Sequence, residues 1–290
     1  MTGNGMRPRS IALLLMPSIL LTVLLLVVPV GFLFRYSFYE LDISSQIASG
    51  LTFTNFVKVL GDTYYLELIG KTLLFSFAVT VFALIIGLPL AAYLWRGSRR
   101  IRFPLTILIL SPLLVSIVVS SYGWIVILGT KGIINNLLIS AGLIDVPVKL
   151  LYTNTAIMIG LVHLVIPFMV LPILSTLERI DTAVTEAAAV LGASPLRVWT
   201  EILLPLLVPG IAGGTNIVFA LAMSAYVTPA VLGPSGPNFI TTLIYQHFVT
   251  LFDWATGSAL AVTLFLLSMS VIALYSVSLS RLGFRALGHR

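Results

Sequence analysis

Residues able to do chemistry are few in this chain of 290, and most of the charged ones sit beside long apolar runs. There is no cysteine, which excludes disulfides, thiolate metal sites and cysteine nucleophiles. The richest mixed-charge segment is 178–205, with Glu178, Arg179, Asp181, Glu186, Arg197 and Glu201. Its punctuation predicts two helices. Asp181 fits the N-cap of a helix over 182–191, because its carboxylate can accept a backbone N–H of the first turn. Ala187-Ala188-Ala189 are strong helix formers. Gly192 fits the left-handed position that ends such a helix. Ser194-Pro195 then reads as N-cap and first residue of a second helix. That helix passes Arg197, Trp199 and Glu201 and enters Ile202-Leu203-Leu204-Pro205. A helical lever joined rigidly to an apolar span suits docking to a soluble partner. Glu186 alone would mean little, since exposed helix charges are common and weak.

Other polar residues lie inside apolar runs. His163 is an intramembrane candidate by type, yet a neutral imidazole bonded across helices accounts for it equally, because no span carries a carboxylate to relay a proton. Ser116, Ser120, Ser121, Tyr122 and Trp124 form one polar-aromatic stretch, and Asn216, Ser224 and Tyr226 another. They fit either a solute path or interhelical hydrogen bonds worth about 1 kcal/mol each. Tyr122, Asn216 and Tyr226 are the path candidates. Gly210, Gly213 and Gly214 let a neighbouring helix approach closely, whether of this chain or of a partner. Gly-Gly-Thr here lacks the Lys and the preceding strand of a phosphate-binding loop. No catalytic group, metal site or cofactor site is expected.

These residues must be held by a membrane fold. Hydrophobic residues make up 59% and charged ones 9%, against about 25% charged in soluble domains. Mean hydropathy is +1.10. A soluble enzyme or a disordered chain is excluded. The net charge of +6 comes from residues flanking apolar runs rather than from one patch, so the partner is membrane lipid and not nucleic acid. A crossing needs about 20 apolar residues. Six runs qualify: 11–34, 72–95, 103–130, 150–177, 205–232 and 254–280. The turn signal Gly233-Pro234-Ser235-Gly236 leaves 239–252 as a short surface helix. Residues 51–56 read as a short extended segment leading into a helix. The first run is too long for a signal peptide core and no Ala-x-Ala-like site follows, so it is an anchor.

Orientation follows from the basic residues. Arg7, Arg9, Arg96, Arg99, Arg100, Arg102, Arg179, Arg197, Arg281, Arg285 and Arg290 share one side; Arg35, Lys58, Lys71, Lys131 and Lys149 share the other. The richer side is cytoplasmic, with both termini. The acids Glu40, Asp42, Asp62, Glu67, Asp145 and Asp253 fall outside. The expected organisation is all-α and polytopic: six transmembrane helices in one domain, 11–280, between tails 1–10 and 281–290.

Glu186-Ala187-Ala188, Gly192 and Ile202-x-Leu204-Pro205 together resemble the EAA motif of binding-protein-dependent ABC importer permeases. The spacing and the place before the next-to-last span both match. The resemblance implies the type I importer permease fold in a bacterial inner membrane, and a transport subunit rather than an enzyme. It implies that 178–204 is the coupling loop. The helix from Asp181 would enter a groove on an ATP-binding subunit, Glu186 would make polar contacts there, and Gly192 would permit the turn. The implied partners are a dimer of ATP-binding subunits, a second homologous permease and a periplasmic substrate-binding protein. Asn55-Phe56, Arg96 to Arg102, Thr130-Lys131-Gly132-Ile133-Ile134-Asn135, Val227-Thr228-Pro229 and Asp253-Trp254 are similar to the spermidine/putrescine branch. That branch implies a polyamine-like solute; opines and aminophosphonates are alternatives in the same class. Where many relatives have Gly-Glu-Phe, this chain has Ser224-Ala225-Tyr226. A secondary transporter or channel is the rival class. Its inverted repeats and intramembrane charges are not visible here.

Overall fold

The computed structural model describes residues 8–41 and 48–287. Arg7, Asp42 and Arg290, used above for orientation, lie outside the described residues, as do residues 1–6 of the tail 1–10 and 288–289 of the tail 281–290. The chain opens with α1 (Pro8–Thr22) and α2 (Val28–Ser37), joined by a π-helical turn over Val23–Val27. A two-stranded antiparallel hairpin follows, β1 (Tyr39–Leu41) with β2 (Ala48–Leu51), and then α3 (Thr54–Gly61). Next come α4 (Thr63–Arg96), α5 (Arg99–Leu114), α6 (Ile117–Leu128), α7 (Ile133–Ser140) and α8 (Asn154–Leu177). The later helices are α9 (Thr182–Val190), α10 (Pro195–Arg197), α11 (Leu204–Ser224), α12 (Val227–Leu232), α13 (Ile240–Tyr245) and α14 (Trp254–Leu287). Among the described residues, six helical segments have the length and hydropathy to cross a membrane.

Several boundaries differ from the expected ones. The second span begins at Thr63, nine residues early, because Glu67 and Lys71 are accommodated in the first turns of α4 rather than ending it. The third is broken: Val115 and Ser116 take extended backbone between α5 and α6, just after Pro112. The crossing-length segment there is Ile117–Ser140, not 103–130. The fifth also breaks, at Ala225 and Tyr226, so α12 is a separate short helix. The sixth runs on past residue 280 to Leu287. The segment expected as a short helix at 239–252 is helical over α13 and a π turn at Gln246–Thr250, with Ile240, Thr241, Leu243 and His247 buried and Tyr245, Val249 and Leu251 exposed.

Two compact units divide the chain. The first holds the residues up to Leu66 together with Ile244–Phe265. Within it, Asn55 ties α3 to the hairpin by donating to the carbonyls of Ser37 (3.0 Å) and Tyr39 (2.8 Å). His247 is 6% exposed, and its Nδ1 lies 3.4 Å from the Asp253 carboxylate. Burial raises the Asp253 pKa. The His247 contact and the backbone and hydroxyl of Thr256 outweigh it and hold the carboxyl well below the usual carboxylate range.

The second unit, Glu67–Leu243 with Leu266–Arg290, carries the main core. Val165, Met169, Ile173 and Leu177 are spaced one turn apart on α8 and are at most 1% exposed. They pack with Leu207 and Val218 of α11 in one hydrophobic cluster. Gly210 and Gly214 face α8 of the same chain: a Cβ on Gly210 would collide with Thr176 and with the Pro172 carbonyl, and one on Gly214 with Met169. Gly210 and Gly214 of the small-residue stripe therefore serve packing within the chain.

Candidate coupling site

The 178–205 loop is built as its caps require. Asp181 Oδ1 accepts from the N–H of Ala183 at 3.0 Å and starts α9. The helix ends at Val190, and Gly192 turns the chain with φ +78°. No atom would meet a Cβ placed on Gly192, so the glycine is required by backbone conformation alone. Ser194 Oγ accepts from Arg197 N–H at 3.4 Å, with Pro195 at the first helical position. From there α10, a π-helical stretch over Val198–Leu203 and α11 run on without interruption. The π stretch has a local cause. Pro205 has no N–H to offer the Glu201 carbonyl one turn back, and its ring crowds that turn, so the helix widens before it.

A small satellite core fixes α9 against the following helix. Ala188 (7% exposed), Val198 (6%) and Leu203 (0%) are buried together, with Ile180, Ile202 and Trp199 packed around them. Of the expected coupling residues, Ala188 faces inward, while Asp181, Glu186, Ala187, Gly192 and Pro205 are exposed and Ile202 and Leu204 are half-buried. Val190, Leu191 and Leu196 are at least 75% exposed at the tip. Apolar tips beside an exposed carboxylate, on a rigid base, form a surface suited to a complementary protein groove.

Two contacts from distant sequence brace this loop. Arg102 pairs with Glu178, both partly exposed. The Arg96 guanidinium lies 5.2 Å from the Trp95 ring centre and 5.7 Å from that of Trp199. On sequence, Arg96 and Arg102 bear on orientation and on the family resemblance, and neither use points to Trp199 or Glu178. Their separation from Trp199 and Glu178 leaves no local signal of the pairing.

The path candidates lie at three different places in the fold. Asn216 lines a cavity of about 290 Å³ with Phe77, Thr80, Thr215, Phe219 and Tyr275. Its Nδ2 donates to Ser276 Oγ at 3.0 Å, beside a Thr215–Tyr275 hydroxyl contact at 3.0 Å. Tyr122 is exposed on α6, and Tyr226 sits at the break before α12. His163 Nδ1 accepts from Trp124 Nε1 at 3.4 Å, joining α8 to α6. No group of three or more His, Asp or Glu that could hold a metal occurs among the described residues.

Comparison with known proteins decides what this architecture is. Residues 72–283 match the family described as the binding-protein-dependent transport system inner membrane component. The chain belongs to this family. It is an inner-membrane permease component of an ABC importer, a transport subunit. It is 32% identical over 239 residues to the spermidine/putrescine transport system permease protein PotB of Escherichia coli (strain K12), covering 82% of this chain and 86% of that one. It is 31% identical over 276 residues to the sulfoquinovosyl glycerol transport system permease protein SmoG of Agrobacterium fabrum, covering 91% and 88%. A solved bacterial alginate ABC transporter, in complex with an alginate pentasaccharide-bound periplasmic protein, matches in fold with TM-score 0.78 at 20% identity over 94% of both chains.

Proposed function

We propose that this permease couples ATP hydrolysis elsewhere to solute import through its 178–204 loop. Both termini face the cytoplasm in this reading, as does that loop, and the membrane domain spans 11–280. The observation that carries it is the braced helical knob: a capped α9 with an exposed apolar tip, rigidly continuous with the membrane helix α11. ATP-binding subunits form a dimer that grips such knobs, on this chain and on a second homologous permease. A periplasmic substrate-binding protein delivers the solute to the opposite face. Motion of the knob biases a two-state membrane bundle. Asp181, Glu186, Ala187, Ala188, Gly192, Ile202, Leu204 and Pro205 build and present the contact. Tyr122, Asn216 and Tyr226 belong to the solute path.

The solute we assign is a small polyamine-like cation, on the strength of the PotB relatives. A second reading, an uncharged or anionic sugar-like solute, is favoured by the SmoG relative and by Ser224-Ala225-Tyr226, which offers no carboxylate to an amine. The test of coupling is Glu186→Lys in the assembled transporter. Substrate-stimulated ATPase activity is expected to fall at least tenfold with normal membrane insertion; unchanged stimulation refutes the assignment. The test of substrate is calorimetric titration of the co-purifying binding protein with spermidine, putrescine, an opine, an aminophosphonate and sulfoquinovosyl glycerol.

A further inference from the structure

The first turns of α5 carry a feature the coupling reading does not use. Arg99, Arg100, Phe103, Thr106, Ile107 and Leu110 line one open groove of about 970 Å³ with Arg102. The guanidinium groups gather at one end, and the apolar side chains recur at i, i+4 and i+7 from Phe103 along the same face. Arg102 is engaged by Glu178. Arg99 and Arg100 are exposed, and neither has a carboxylate partner among the described residues. Phe103 is 70% exposed and Ile107 50%. Thr106 spends its hydroxyl on the Arg102 carbonyl and offers the groove no donor.

We propose that this groove is a binding site for an anionic phospholipid. The phosphate group would lie against Arg99 and Arg100, and an acyl chain along Phe103, Ile107 and Leu110. Length decides between a lipid and a compact anion. Arg99 to Leu110 spans about 16 Å of helix at 1.5 Å per residue. That is one leaflet of a hydrocarbon core about 30 Å thick. Charge is confined to the end where a headgroup would sit, and arginine stems can lie along apolar surface with their heads in the interface. A free phosphate would leave the apolar wall unused, and a neutral lipid would leave two cations uncompensated. The same helix begins beside the contacts that brace the knob, Arg96 with Trp199 and Arg102 with Glu178. A bound lipid would therefore steady the base of the coupling loop. The inference of a cytoplasmic-leaflet lipid rests on the orientation proposed above; binding itself does not.

The experiment is native mass spectrometry of the full chain in neutral detergent, titrated with dioleoyl phosphatidylglycerol or dioleoyl phosphatidylethanolamine. Wild type is expected to retain the anionic lipid about 25-fold more tightly, and Arg99→Gln/Arg100→Gln to abolish that preference, since each of the two basic residues near the surface is worth about fivefold. Lys131→Gln/Lys149→Gln is the control and is expected to keep it; circular dichroism verifies that each variant is folded. Equal retention of both lipids by wild type overturns the proposal. So does an arginine variant that keeps its preference, including one that instead loses assembly with the ATP-binding subunits, which would make the groove a protein contact. Because the chain has no cysteine, Arg100→Cys reports sidedness by labelling in cells. Labelling from the periplasm would refute the orientation and leave the detergent measurement standing.

Discussion

Two glycines three residues apart on α11 are expected to respond oppositely to the same substitution. At Gly213, a new Cβ would meet nothing closer than Pro172 Cβ at 3.8 Å, an ordinary contact. Alanine there gains helix propensity, up to about 1 kcal/mol. At Gly210, the new Cβ would overlap the Thr176 hydroxyl and lie 2.9 Å from both Thr176 Cβ and the Pro172 carbonyl oxygen. The hydroxyl is bonded to that same carbonyl at 2.9 Å, so it cannot turn away without losing the bond. The carbonyl belongs to the backbone of α8, so relief requires the helices to separate over the buried Met169–Leu177 seam. Overpacking of this kind costs about 1–3 kcal/mol, which outweighs the propensity gain. Gly210→Ala should therefore unfold about 1–2 kcal/mol more easily than wild type, and Gly213→Ala about 0.5–1 kcal/mol less easily. The assay is reversible unfolding in mixed micelles titrated with dodecyl sulfate, followed by far-ultraviolet circular dichroism. Thr176→Ala in the Gly210→Ala background should restore only part of the loss, because the carbonyl clash persists. Equal stability of the two glycine variants would refute the packing argument.

Further outcomes follow from the loop and from the Asp253 carboxyl. Gly192→Pro fixes φ near −65° where the chain needs +78°; faster amide hydrogen exchange across 186–193 and uncoupled ATPase activity are expected, with unchanged exchange in α8. Trp199→Ala removes both the Arg96 contact and part of the satellite core; it should reduce coupling more than Arg96→Gln does. Because the folded Asp253 carboxyl has a depressed pKa, its contribution is present above the unfolded value near 3.9 and is lost as pH falls below it. Trp254 emission should thus report local loosening only at strongly acidic pH, and Asp253→Asn should cost about 2 kcal/mol at neutral pH, read by the same unfolding assay.

The local structure of the 178–205 loop was legible residue by residue because caps are local chemistry. Asp181, Gly192, Ser194 and Pro195 each act within four positions of themselves, and the structure has them where the pattern requires. The number of spans was legible because hydropathy integrates over twenty residues. Their ends were not. Glu67 and Lys71 read as loop charges, yet a helix tolerates them at its first turns near an interface. The breaks at Val115–Ser116 and Ala225–Tyr226 interrupt runs that carry no charge, and the polar residues there are of types that also occur inside the helices, so no charge or hydropathy boundary marks them. The braces were illegible for another reason. Arg102 and Glu178 are 76 residues apart, and only the packing of helices brings them together. Polar residues within the spans carry a weak signal in sequence, since in a bundle they also satisfy one another across helices, as Asn216 does with Ser276.

The widened turn over Val198–Leu203 has a consequence for angular phase. An α-helix advances 100° per residue, so each residue inserted or removed between the knob and α11 rotates the knob about the axis of the span by that amount. The π turn absorbs one such step while keeping the helix continuous. Deleting a single residue there would return ordinary helical geometry and leave Glu186 near its present bearing on the span, whereas the same deletion in regular α-helix would swing it by about 100°. Replacing Pro205 by alanine removes the reason for the widening and gives the helix the choice of taking that step on its own. In the coupling proposed above, that turn sets the direction in which the knob points, independently of how stiff it is.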